Sequence, residues 1–155
     1  LEYAWGIELS EHKGVSTVGH GGSFMGYRTH FVRAPDHGLG VALLCNQRRI
    51  DPGGLALEVM EVYLEEAVRA HLREFTGRYR GSEVGATWAL AVDGADLVAK
   101  GPDGERRVLE YAGPDTFGMG GAELHFTRSS GRVTGFTYDG GRVRGVRFER
   151  ADGAP

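Results

Sequence analysis

Ten consecutive residues, His20-Gly21-Gly22-Ser23-Phe24-Met25-Gly26-Tyr27-Arg28-Thr29, set a histidine, a serine, a tyrosine and an arginine around three glycines. An imidazole changes charge near neutral pH, so His20 can pass a proton or orient a carboxylate. The glycine pair that follows it removes two Cβ atoms and lets a ligand approach the backbone closely. A segment of this kind can present a histidine and one or two backbone N–H groups to a cleft. The same string also suits a structural histidine beside a tight turn. Arg28 can meet a carboxylate or lie in solvent.

The neighbouring residues supply the frame. Val15–Val18 precedes the string and Thr29–Arg33 follows it, and both read as strands. Further strands are expected at Tyr3–Leu9, at Val15–His20 with its return Thr29–Arg33, and at Leu39–Cys45. The last is an unbroken apolar run, which predicts a strand covered on both faces. Pro35-Asp36-His37-Gly38 marks a turn. A helix is expected from Asp51-Pro52, an N-cap followed by proline at the first helical position. Its apolar face is read as Leu57, Met60, Leu64, Ala67, Val68 and His71.

From Phe75 onward the apolar period changes to two. Eight short strands are predicted, Phe75–Arg80, Thr87–Val92, Asp96–Lys100, Arg106–Tyr111, Asp115–Gly118, Ala122–Arg128, Arg132–Tyr138 and Arg142–Glu149. Asp93-Gly94, Asp103-Gly104, Ser130-Gly131 and Gly140-Gly141 separate neighbours as tight turns. Evenly spaced short strands point to an antiparallel barrel or sandwich. Trp88, Leu90, Phe117, Leu124, Phe126, Phe136, Val146 and Phe148 are the candidate inward residues, read as core filling. Val143 falls out of register with Val146 and Phe148 unless a bulge at Gly145 intervenes. The fold class is therefore mainly β with an α+β first part: antiparallel strands and one helix, then a roughly eight-stranded antiparallel β-barrel.

Composition narrows the function. Residues 1–72 carry six basic and nine acidic side chains, and residues 73–155 carry twelve of each. Without a basic footprint, a nucleic-acid partner is not expected. No run approaches the ~18 apolar residues of a membrane-spanning helix. Cys45 is the one cysteine and cannot form an internal disulfide. Five of six histidines lie in the first half, but His20, His30, His37 and His71 match no short metal-ligand motif. No metal and no cofactor is expected. Ser23, His30 and Asp36 lie too close in sequence to suggest a triad, which is defined by geometry.

Tyr3-Ala4-Trp5-Gly6-Ile7, the stretch Gly19–Pro35 and Leu39–Asn46, in that order, resemble the C-terminal part of the catalytic domain of beta-lactamase-related serine hydrolases. That group includes class C beta-lactamases, esterases and D-aminopeptidase-like penicillin-binding proteins. Phe75–Tyr79 and the endings Gly131–Phe136 and Gly141–Arg150 resemble the lipocalin-like barrel appended to some of its members. The resemblance implies that His20-Gly21-Gly22 is the third motif, in its H-x-G form, on a strand beside the active-site serine. It implies catalytic roles for His20, for Gly22, which leaves room for the acyl group, and for the Ser23 N–H as an oxyanion donor. It implies that Gly21, Tyr27 and Arg28 touch substrate.

The group's nucleophile sits in an S-x-x-K motif at the start of a buried helix. The only literal match, Ser10-Glu11-His12-Lys13, precedes Gly14 between two strand-like runs and reads as a hairpin turn. No Y-x-N or S-x-N second motif is present. Residues 1–72 are thus expected to be the C-terminal portion of a catalytic domain, and residues 73–155 its barrel. The parent would hydrolyse an ester, amide or peptide through an acyl-serine, and this chain alone would be inactive. Its expected partners are the upstream part of the catalytic domain, in the same or a nicked polypeptide, a second copy by self-association, and a small-molecule ester, amide or peptide substrate. The compartment is left open. The alternative is a non-catalytic barrel that binds a ligand or gates access to a site.

Overall fold

The structure is a computed structural model that describes residues 2–151. The chain divides into two compact units, 1–68 and 69–155.

The first unit is one antiparallel sheet with a helix on one face. Its strands are β1 (Glu2–Ala4), β2 (Ile7–His12), β3 (Val15–Phe24), β4 (Tyr27–Ala34) and β5 (Leu39–Cys45), in that spatial order. Strands β3 and β4 run unbroken through the glycine-rich string. The tight turn lies at Met25-Gly26, both with positive φ, and not at the glycine pair. Two residues with φ > 0 make the hairpin geometry that matches strand twist. Helix α1 (Pro52–Tyr63) follows, its first turn capped by the Asp51 carboxylate, which accepts from the Gly53 N–H at 3.0 Å.

Four expectations change here. The expected strand Tyr3–Leu9 is a hairpin, β1 and β2, joined by a turn at Trp5-Gly6, both with positive φ. The helix is two helices, because Leu64 leaves helical geometry (φ −112°, ψ 22°) and α2 (Glu65–Leu72) begins after it. The buried residues are Ala56 and Met60 on α1 and Val68 and Leu72 on α2, each pair four apart, whereas the expected Leu57 and Leu64 are only partly buried. Strand β5 is covered on one face only: Leu39, Val41, Leu43 and Cys45 are partly covered, whereas Leu44 is 83% exposed. The apolar run reflects one packed face and one bare face.

Opposite residues of an antiparallel pair share a face. The registers place Leu9, Val18, His20, Gly22, Phe24, Tyr27, Thr29, Phe31, Ala42 and Leu44 together, away from the buried Val15, Val32 and Ala34. The β2–β3 hairpin is tied to α1 by Glu61, whose carboxylate meets His12 Nε2 at 2.6 Å and Lys13 Nζ at 2.9 Å. Lys13 is thus the turn residue of a hairpin (φ 48°), and Ser10 hydrogen-bonds Thr17 instead.

The second unit is a closed eight-stranded antiparallel barrel. Its strands are β6 (Gly77–Gly81), β7 (Ala86–Asp93), β8 (Asp96–Lys100), β9 (Arg106–Gly113), β10 (Thr116–Met119), β11 (Ala122–Ser129), β12 (Arg132–Gly140) and β13 (Val143–Arg150). Phe75 belongs to a 3₁₀ turn (Arg73–Phe75) rather than to the first strand. It is fully buried and packs edge-on against Phe117 and Phe126 at 5.0 and 4.9 Å. Leu90, Leu124, Phe136 and Phe148 are part of the packed core, while Trp88 and Val146 are only partly buried. The bulge stands at Gly145 (φ 70°): Tyr138 pairs with Val146 and Gly140 with Val143, so two residues face Asp139 alone. The Asp139 carboxylate accepts from the Gly145 N–H at 2.7 Å.

Candidate functional site

Alternation along β3 sends His20 to the bare face of the sheet and the Ser23 side chain to the other. The His20 ring is half-buried, its centroid 6.2 Å from that of Tyr3. Pairing with β2 reaches Gly19 in the observed register, and β2 begins at Ile7. From Gly21 to Phe24, β3 therefore pairs with β4 on one side and with no described strand on the other. Gly21, Gly22 and Ser23 are exposed there. An unpaired strand edge offers a row of N–H and C=O groups that another extended segment can take up.

Gly22 is set by a close contact. A Cβ at this position would lie 2.5 Å from Thr29 Oγ1 across the hairpin, so no larger residue fits without moving Thr29. Gly22, Thr29 and Leu44 form one row across three strands, and His20, Phe31 and Ala42 form the next. Between them runs an open groove of about 390 Å³. Its surface is mostly apolar, with His20 and His30 as the ionisable residues that line it.

The six residues singled out in the sequence do not share one depression. His20, Gly21 and Gly22 line the groove. Ser23 and Arg28 line a second depression with Met25, Gly26 and Arg48. Arg28 is directed to the main chain: its Nε donates to the Arg48 carbonyl at 3.1 Å. Tyr27 stands exposed at the start of β4, opposite Phe24, and borders neither depression. Sequence reasoning passed over Thr29, Phe31, Ala42 and Leu44. Their signal was the strand register, fixed once the turn is put at Met25-Gly26.

No protein-family model matches the sequence, and no curated protein matches it. Among solved structures, the octameric penicillin-binding protein homologue from Pyrococcus abyssi is 21% identical, with a TM-score of 0.38 over 94% of this chain and 36% of that one. The structure of SurE with D-Leu is 18% identical, with a TM-score of 0.39 over 93% of this chain and 37% of that one. The chain spans little more than a third of the length of either.

Proposed function

We propose that the first unit supplies one wall of the active site of a beta-lactamase-like serine hydrolase, with the nucleophile contributed by another segment. The carrying observation is the coincidence of His20 and two exposed glycines with the point where β3 leaves its β2 partner. An acyl substrate lying along that edge would find backbone N–H groups, an imidazole on the groove side and no Cβ at Gly22. In this reading His20 orients the substrate carboxylate or relays a proton, and the Ser23 N–H stabilises the developing oxyanion. Gly21, Tyr27 and Arg28 would contact the rest of the substrate. The bare apolar face would pack against the segment that carries the serine, since large apolar patches mark partner surfaces. Self-association through that face is the competing arrangement.

The test uses the intact polypeptide that carries this sequence, treated with a fluorophosphonate serine probe and mapped by peptide mass spectrometry. The expected label lies on a serine outside residues 1–155. His20→Ala should lower ester or amide turnover about 100-fold, the scale of losing one preorganised polar group. Label on Ser23, or turnover unchanged in His20→Ala, would overturn the proposal.

A further inference from the structure

We infer that the open end of the barrel is a binding site for one small, uncharged aromatic group, held against Trp88 and Tyr138. The inference uses only the second unit and stands apart from the hydrolase reading.

The barrel is packed unevenly along its axis. At the end closed by Phe75, the rings of Phe75, Phe117 and Phe126 meet edge to face. At the other end, where the β6–β7, β8–β9 and β12–β13 connections lie, filling stops short. Ala86, Trp88, Tyr138, Val146 and Phe148 wall an apolar cup of about 220 Å³ there. Val84 and Val143, each about half exposed, stand on its rim beside Pro102.

Two glycines hold the cup's aromatic walls in place. A Cβ on Gly101 would lie 3.0 Å from the Trp88 ring, and one on Gly140 would lie 2.5 Å from Tyr138 Oη. Both side chains rest where a larger residue would displace them, so the space in front of them belongs to the fold.

Charge and size define the occupant. No ionisable acid or base other than the Tyr138 phenol lines the cup. Arg107 lies over the Trp88 ring at 5.8 Å, but its guanidinium is paired with both Asp103 and Glu105. The Arg107 hydrogen bonds hold the Asp103 carboxyl down at about 2, so it is ionised across the neutral range. Neither a cation nor a carboxylate lines the cup, and the cation over Trp88 is already engaged by two carboxylates. A dry apolar cavity of ~150 Å³ takes up benzene, so this cup suits one ring or two fused rings. Aromatic walls favour an aromatic guest through offset and edge-on contacts.

The test needs no labelled ligand, because the chain has two tryptophans and Trp5 is fully exposed. In the Trp5→Phe variant of residues 1–155 the Trp88 indole N–H gives a single resonance in a ¹H–¹⁵N spectrum. Titration with 2-naphthol should move that signal saturably, with half-saturation below about 1 mM, within reach of a small ligand. Ala86→Leu, which fills the cup, should weaken the response at least tenfold, and Val146→Phe is the second filling variant should the first unfold. Val108→Ser on the outer surface should leave the titration unchanged. 2-Naphthoate should bind at least tenfold more weakly than 2-naphthol. Absence of saturation, an undiminished response in a folded cup-filling variant, or equal affinity for the carboxylate would overturn the inference.

Discussion

The sheet and the barrel are made from the same parts, antiparallel hairpins with tight glycine turns, and they differ in how they end. In the barrel, β13 returns to β6 through Glu149↔Arg80 and Arg150↔Tyr79, so the strand order closes. In the sheet, β1 and β5 remain as edges, and helix α1 packs along one face. The exposed apolar residues follow that difference. On the bare face of the sheet they include Leu9, Phe24, Tyr27 and Leu44, spread over four strands. In the barrel the large ones are Val84, Val108 and Val143, and two of these three rim the cup. Closure leaves most of the large apolar exposure at a mouth that suits a small molecule, whereas an open sheet offers a surface that suits another polypeptide segment.

The sharpest way to break the contrast is to open the barrel. Its seam is short, and one side chain reinforces it. Arg150 Nη1 donates to the carbonyls of Glu74 (3.1 Å) and Val133 (3.3 Å), and Nη2 donates to that of Thr76. The guanidinium also lies over the Tyr79 ring at 5.9 Å. Arg150→Met keeps the stem and strands the carbonyls, at a cost of about 3 kcal/mol in the barrel. Native-state amide exchange should show the loss of protection at β6 and β13 first, with β11 and β12 still protected. Uniform loss across all eight strands would mean that the seam is no weaker than the rest.

How much of this architecture the sequence carried depends on the range of the interactions involved. The eight barrel strands were readable because each hairpin is local and its turns are marked by glycine. Even the Gly145 bulge was legible, since Val143 and the pair Val146 and Phe148 cannot share a face without it. The Asp51-Pro52 start was legible for the same reason. Errors arose where a distant partner decides. Met25 in the left-handed region gives little sequence signal, so the expected strands stop at His20 and resume at Thr29, short of the actual turn on both sides. The run Leu39–Cys45 cannot say which face α1 will cover. In the groove, His20, Gly21 and Gly22 are adjacent in sequence and stood out, but Thr29, Ala42 and Leu44 join them only through cross-strand register. The cup needed closure itself, which brings Trp88 of β7 beside Tyr138 of β12 and Val146 of β13.

A smaller effect sharpens the other side of the comparison. The open sheet is held to its helix by Glu61, His12 and Lys13. Burial pushes the Glu61 carboxyl up, but hydrogen bonds from His12 and Lys13 outweigh it, and the net displacement is below the ordinary 4.5. A folded-state value below the unfolded one means the stabilisation is fully present above pH 4.5 and is lost as pH falls through the lower, folded value. Urea unfolding of the first unit should therefore lose up to about 1 kcal/mol at acid pH, the scale of a partly exposed pair. Glu61→Gln should remove that pH dependence while leaving the Arg150 seam in the barrel untouched. A Glu61→Gln profile identical to the parent would show that the clasp contributes nothing.

The smallest expected effect bears most directly on what the bare face is for. Leu44 extends from β5 with 83% of its surface in water, so Leu44→Ser deletes little buried contact. If the face is uncovered in the isolated chain, the substitution should change unfolding free energy by no more than about 0.5 kcal/mol, the usual range for surface positions. It should also lower any self-association seen by sedimentation, because it interrupts the row Gly22–Thr29–Leu44 at its apolar end. A cost above about 1.5 kcal/mol, comparable to burying a leucine side chain, would mean that the face is covered in solution. A concentration-dependent cost would identify the cover as a second copy, since association stabilises by mass action. A cost that does not vary with concentration would place the cover within the chain itself, and the sheet would then resemble the barrel more closely than its exposed leucine suggests.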